Sequence, residues 1–404
     1  MEIVLFILKC LFYTISCIVA FYFLLPVVLF TIYILKCGTK KNQNKIKIKS
    51  DHLFNYAAII TAHQDSRFIA PFADSFIKQN YRNFKVYVVA DDCNKEQLPF
   101  FDERIVILHP PIALHSKIKS IQFAINNFNQ AHDILIIFDS DNLVHPDYLT
   151  NLNSYFQDGF KVVQTHMLSK NIDNTYARLD SIGHIYYTFY ERKVKMKLGL
   201  SSAILGLGIA IDLNLYKEIG YQNTIGGFDK KLQSQLARKV KQIAFAEDAK
   251  VYDEKVEDAS VLEKQRTRWI YSYFNHFKES WLLTICGIKN FNLGQILLGA
   301  SMLRPPIIIL LLLLIIILLF TFFINPLLVF WWELIILLFT INFILTIATQ
   351  SHQKGMLQSL KYLPLLMISQ FKALFKINKA KQNFLKTEHK KVIYIDELLK
   401  NEFT

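Results

Sequence analysis

The sequence predicts an α/β protein, with a mostly parallel sheet covered by helices on both faces and membrane helices at both ends of the chain. Three observations predict it. Residues 3–35 are almost wholly apolar with Lys9 the only charged side chain, and residues 305–349 form a second apolar block with Glu333 its only charged residue. From Tyr56 onward, short continuous apolar runs alternate with amphipathic stretches, as expected of buried parallel strands joined by crossover helices. Three of those runs stop at or beside acids: Asp65, Asp91-Asp92, and Asp139-Ser140-Asp141.

The first apolar block exceeds the roughly 20 residues that a membrane helix needs. Pro26 predicts a kink or an interfacial end within it, and no small-residue cleavage site follows, so residues 1–36 are read as an anchor. Six lysines and no acid lie between Lys36 and Lys49. Lysine-rich flanks stay on the cytoplasmic side, which puts the linker 37–54 inside and the N-terminus outside. The strands expected next are 56–62, 84–92, 104–109 and 133–138. Helices are expected over 66–79, with Pro71 in the first turn, over 116–128, with apolar residues at 118, 121, 125 and 128, and over about 175–199. The soluble domain is bounded at 55–260, followed by interfacial helices over 261–304. The second apolar block divides into two spans near Asn325-Pro326, with Trp331 and Trp332 as interfacial anchors. A hairpin of two spans returns the tail, 350–404, to the cytoplasm. That tail carries nine lysines and one acid from Lys354 to Lys391, and after Pro364 it reads as an amphipathic membrane-surface helix.

Composition narrows the function classes. The 404-residue chain is 52% hydrophobic with a net charge of +13. The lysine excess sits mainly at the membrane flanks, so topology accounts for it. The aromatics near those lysines lie in membrane segments and not in a basic groove, so nucleic acid is not expected as a partner. The five cysteines, Cys10, Cys17, Cys37, Cys93 and Cys286, have no metal-like spacing and are read as structural thiols.

In doubly wound sheets, ligands bind at the carboxyl ends of the strands. In an extended chain residues i and i+2 point the same way, so Asp139 and Asp141 are expected to aim at one point. Two such carboxylates repel unless a cation lies between them, and a hard oxygen-ligand ion, Mg²⁺ or Mn²⁺, fits. The competing reading is a helix N-cap at Asp141 or Asn142. Further on, "EKQRTRWIYSYF" carries Gln265, Arg266, Arg268 and Trp269. Guanidinium groups suit phosphate oxygens, and an indole face suits a sugar ring. The same residues also suit an interfacial helix.

Taken together, residues 55–275 resemble the membrane-anchored family-2 glycosyltransferases, whose catalytic domain has the Rossmann-like GT-A fold. "TAHQD" (61–65) stands where the family's first-strand motif ends. The resemblance implies that Asp65 and the pair Asp91-Asp92 hold the ribose and base of a nucleotide-sugar, and that Lys117 approaches its diphosphate. It implies a metal at Asp139 and Asp141 of the DxD motif, with Gln265, Arg266, Arg268 and Trp269 forming a QxxRW motif on the donor. Gly206 and Gly208 in "LGLGIAI" would let the acceptor approach the backbone. The family's catalytic base lies some 35 residues before QxxRW. Asp229, 36 residues before Gln265, matches that spacing, although Phe228 replaces the usual Glu before it. Asp248 is 17 residues before Gln265 and is the fallback. A helix N-cap is the bland reading of Asp229.

The implied activity is inverting transfer from a nucleotide-diphospho-sugar, by analogy a UDP-sugar, to a glycan or lipid-linked acceptor at the bilayer. Partner subunits or a homo-oligomer are compatible with it. A bacterial inner membrane is the expected location, with the catalytic domain on the cytoplasmic face and a role in polysaccharide biosynthesis or the cell envelope. Two alternatives differ in class: a processive polysaccharide synthase, for which three spans are few, and an inactive glycan-binding subunit, for which Phe228 and "TAHQD" leave room.

Overall fold

The computed structural model describes residues 2–37, 52–94, 102–220, 228–351, 353, 355–378 and 390–402. Most of the lysine flank after the first helix, Gly226-Gly227, and the lysines between 379 and 389 lie outside the described residues.

After α1 (Glu2–Cys37), the chain alternates as expected through β1 (Tyr56–His63), α2 (Ile69–Ile77), β2 (Phe84–Asp91), β3 (Ile105–Leu108), α3 (Lys117–Asn126) and β4 (Ile134–Asp139). Next come the two-residue β5 (Leu143–Val144), α4 (Tyr148–Gln157), β6 (Val162–Ser169) and α5 (Thr175–Thr188). A π-helical turn, Phe189–Val194, continues α5 into α6 (Lys195–Lys197). β7 (Ile209–Asp212), α7 (Leu213–Ile219), α8 (Phe228–Lys239) and β8 (Ala244–Asp253) complete the sheet layer.

β1 shows why these runs become central strands. Tyr56, Ala58 and Ile60 pack on one face with Phe72 and Phe76 of α2. Ala57 and Ile59 pack on the other with Ile118 and Ile121 of α3. A strand buried on both faces needs apolar side chains at every position, which is the unbroken pattern in the sequence. The sheet order is β3-β2-β1-β4-β7-β6-β8-β5. β1 is parallel to β2 and β4, and β6 is parallel to β8. β7 is antiparallel to both β4 and β6. The sheet is therefore mixed and mostly parallel, and β1, β2, β4, β6 and β8 all end at one edge. His63, Asp91, Asp139, Ser169 and Asp253 collect there.

Beyond β8 run α9 (Ala259–Asn275), α10 (Phe277–Lys289) and α11 (Leu293–Leu303). Then come α12 (Ile307–Ile324) and α13 (Pro326–Gln350), with Asn325 capping α13 and Pro326 in its first turn. Together with α1, these are three helices long and apolar enough to cross a membrane. Val19 and Phe23 of α1 pack with Leu310, Leu314 and Trp332. Trp331 is exposed, but Trp332 is buried among the helices and is not the interfacial anchor expected. Adjacent helical residues point about 100° apart, so both could not face the same surroundings.

The tail folds back onto the soluble domain. After α14 (Met356–Ser359), α15 (Leu363–Phe375) places Leu366 against Val261 and Leu262 of α9. Its opposite face leaves Leu365, Ile368, Phe371 and Phe375 exposed, so the amphipathic helix expected here is partly a packing element. A C-terminal helix, Ile395–Glu402, places Ile395 and Leu398 against Leu143 and Tyr252. Chain on either side of the α12–α13 hairpin therefore packs on one domain.

Candidate active site

At the end of β1 and β2, Asp91 is almost fully buried. Its carboxylate accepts the backbone N–H groups of Leu114 (2.7 Å) and His115 (3.0 Å) and lies 3.0 Å from His63 Nδ1. His63 Nε2 in turn lies 3.4 Å from His115 Nδ1. Asp91 thus ties the β3–α3 loop to the sheet edge. Asp92 is exposed, and Gln64 Nε2 donates to it at 2.8 Å. Gln64, Asp92 and His115 all have left-handed backbone, with φ of 59°, 56° and 49°. Such backbone at three non-glycine residues of one edge persists only where the surroundings over-determine it. Asp65 is gripped by Arg67 through its Nε (3.0 Å) and its terminal nitrogen (2.8 Å).

At the end of β4, Lys117 and Asp139 pair directly, and the Arg268 guanidinium lies within electrostatic reach of Asp139 and Asp229. Lys117, the first residue of α3, donates to Asp139 Oδ1 at 2.5 Å and to the Gly206 carbonyl at 2.8 Å. Its ammonium sits over the Phe228 ring, 5.4 Å from the centroid. Arg268 comes from α9. Burial pushes its guanidinium below its ordinary range, while the carboxylates of Asp139 and Asp229 pull the other way. Asp229 lies in the first turn of α8, and its charge also reaches Arg192. Phe228, the apparent departure at the head of α8, forms a wall that packs against Gly206 and beneath Lys117.

Asp139 and Asp141 do not continue as an extended chain. The strand stops at Asp139, whose backbone N–H donates to Asn142 Oδ1 (3.1 Å), while the Asn142 N–H donates to the Asp139 carbonyl (3.3 Å). Asn142 closes a turn, so the i, i+2 argument does not hold here. The Asp139 side chain is 42% exposed, whereas Asp141 is buried beside Lys170, which donates to its carbonyl at 2.6 Å. Among the described residues no group of three or more His, Cys, Asp or Glu side chains could hold a metal ion. Of Asp139 and Asp141, only the Asp139 carboxylate is open at the strand end, which is compatible with an ion of the Mg²⁺ type. Such ions keep several waters and take only one or two protein carboxylates beside substrate phosphates.

The four residues of the Gln-x-x-Arg-Trp segment separate in role. Arg266 is buried, donates to Asp180 Oδ1 of α5 at 2.5 Å, and lies 4.1 Å over the Trp269 ring. It pins α9 to α5. Trp269 is 43% exposed on its other side. The Gln265 Oε1 atom is buried with no hydrogen-bond partner among the described residues. Arg268 is the member of the segment within electrostatic reach of Asp139 and Asp229 among the described residues.

Other candidates have local explanations. Gly208 is buried with φ of 62°, and its carbonyl accepts from Thr165 Oγ1 at 2.7 Å. Asp248 accepts from Tyr155 of α4 at 3.1 Å, within β8. Tyr186 and Tyr190 pack against α13, while Tyr187 is exposed under the guanidinium of Arg304. Residues that sequence reasoning missed include His63, His115 and Lys170. His63 stood in the quoted "TAHQD" segment. The others carry no spacing signal.

The family profile described as "Glycosyltransferase like family 2" matches residues 54–272. No curated protein sequence matches the chain. Among solved structures, the mannosyltransferase of Pyrobaculum calidifontis in complex with GDP-Man and Mn²⁺ shares the fold. It aligns with a TM-score of 0.56 at 12% identity, over 91% of this chain and 99% of that one. S. aureus TarS residues 1–349 align at a TM-score of 0.41 and 12% identity, over 83% of this chain and 93% of that one.

Proposed function

The chain belongs to glycosyltransferase family 2, and from that membership and the geometry of the strand-end cluster we propose an inverting transfer from a nucleotide-diphospho-sugar to a membrane-associated glycan or lipid-linked acceptor. The convergence of Lys117, Asp139, Arg268 and Asp229 carries this reading. A lysine–aspartate pair, with an arginine and a second carboxylate within electrostatic reach, comes from four different elements and lies where an α/β sheet binds ligands.

In the proposed mechanism the nucleoside end of the donor lies over Asp65, Asp92 and the loop that Asp91 anchors. Asp139 and Asp141 would hold a Mg²⁺ or Mn²⁺ ion, whose chemistry is to take up charge on the departing diphosphate. Lys117 and Arg268 supply fixed positive charge at the same end, and Lys117 exchanges its bond to Asp139 for one to phosphate. Asp229 accepts the proton of the acceptor hydroxyl. A single displacement needs one such base, and inversion follows, unlike the paired carboxyls of a glycosidase. Of the remaining candidates, Gln265 and Trp269 are assigned to the donor side and Gly206 to the acceptor side, and Arg266 steadies Trp269. A UDP-sugar is the donor that the resemblance implies, while the fold neighbour from Pyrobaculum was solved with GDP-Man and Mn²⁺. The acceptor is placed at the bilayer because α9 runs directly into the membrane-proximal helices, on the face proposed as cytoplasmic. The proposed limits of the catalytic domain are 55–260.

Nucleotide-sugars screened with the purified full chain, with and without Mn²⁺, should yield one donor whose turnover EDTA abolishes. Asp229→Asn should lower transfer by about 10²–10⁴-fold, the usual worth of general-base help, and leave donor binding intact. Full activity of that variant would reassign the base, with Asp248 tested next.

A further inference from the structure

Lys170 follows β6 and is 6% exposed. Burying an ammonium is costly unless the charge is used. Lys170 lies within electrostatic reach of the Asp141, Glu254 and Asp253 carboxylates and 5.8 Å from the Phe68 ring centroid, but makes no direct ion pair among the described residues. Its nitrogen donates instead to two carbonyls, that of Asp141 at 2.6 Å and that of Lys391 at 3.4 Å. Its backbone N–H donates to the Asp253 carbonyl at 2.8 Å. The residue thus spans the Asp139–Asn142 turn, the end of β8 and the returning tail.

The tail is fastened at this place. The backbone N–H groups of Lys390 and Lys391 donate to Glu254 at 2.7 and 3.0 Å, and Ile395 is fully buried against Leu143 and Tyr252. Leu143 immediately follows the turn. Segment 390–402 therefore covers the outer side of the turn, and Lys170 bolts it from within.

We propose that Lys170 is a positioning residue for the diphosphate end of the donor site, locking the Asp141 turn between β8 and the C-terminal segment 390–402. The inference rests on the donor-site reading above. It also predicts a sign. A lysine acting only through its charge would oppose a cation at Asp141, and its loss would tighten metal binding. A lysine that sets the geometry of the turn would, when lost, loosen it.

The test is calorimetric titration of Mn²⁺ with UDP, and separately with GDP, into the full chain in detergent. Lys170→Met should weaken the Mn²⁺–nucleotide complex about tenfold, and nucleotide binding without Mn²⁺ should change less than threefold. Ile395→Asp, which frees the tail and leaves Lys170 in place, should weaken it in the same direction and keeps the proposal testable if Lys170→Met fails to fold. Unchanged or tighter Mn²⁺–nucleotide binding in a folded Lys170→Met variant, or in Ile395→Asp, would overturn the proposal. Failure of the unaltered protein to bind either nucleotide with Mn²⁺ would overturn the donor-site reading, and this proposal with it.

Discussion

Gly208 shows how one residue without a side chain decides local structure. A Cβ there would lie 2.5 Å from Thr165 Oγ1 and 3.1 Å from Val251 Cγ1, at a φ of 62°. Its N–H donates to the Ile137 carbonyl at 2.8 Å, so the backbone cannot shift away without breaking the entry of β7. Left-handed backbone costs a non-glycine residue about 1–3 kcal/mol, and the contact adds to it. Gly208→Ala should lower the melting temperature by several degrees in a thermal scan, and an unchanged midpoint would contradict this packing. The glycine was legible in the sequence, but its reason was not, because Thr165 is 43 residues away. Asp91 is similar. Its acidity at a strand end stands out in the sequence, but its capture by two backbone N–H groups of the β3–α3 loop depends on that loop's path.

At the scale of elements, the π-helical turn Phe189–Val194 joins the sheet domain to the long apolar helix α13. Tyr190 hydrogen-bonds Asn342 and, at 2.8 Å, Thr346 of α13. Glu191 is buried, with Lys195 at 2.6 Å and Arg304 at 3.4 Å. Burial alone would raise the Glu191 carboxyl, but the two cations outweigh it and hold it at about 2. Removing one member of a buried ionic cluster strands the others, at a typical cost of about 3–5 kcal/mol. Glu191→Gln should therefore destabilise the full chain strongly in detergent, as a large drop in unfolding midpoint. A midpoint within a degree of the unaltered protein would show that the cluster is dispensable. The helix itself is legible as a periodic stretch. Its π-turn and its partner Arg304 are not, because Arg304 lies 113 residues beyond Glu191.

Across the whole molecule, stability should depend on pH through buried imidazoles. Burial lowers His132 and His166 from 6.5 to about 4. The folded state holds both neutral, while the unfolded chain takes up protons below 6.5, so stability is full above pH 6.5 and declines as pH falls through 4. Glu191 adds a second loss at lower pH, because its carboxylate form is favoured by folding and that contribution disappears between 4.5 and about 2. Unfolding midpoints measured from pH 7.5 to 4 should decline, and His132→Gln should flatten the upper part of the curve. A flat profile in the unaltered protein would contradict the burial of both rings.

The sequence by itself determined the apolar helices, the alternation of strands and helices, and which strand ends carry acids. These are local properties: a doubly buried strand or a membrane helix must be apolar along its own length, whatever surrounds it. Only the tertiary structure decided that β7 runs antiparallel, that Asn142 bends the Asp139–Asp141 pair into a turn, that Phe228 walls Lys117, and that the tail returns to cover the sheet edge. The Asn142 turn is made by residues three apart, but nothing in the apolar pattern selects it over continued strand. The others depend on groups tens to hundreds of residues apart meeting in space, which no local pattern of apolar and polar residues encodes.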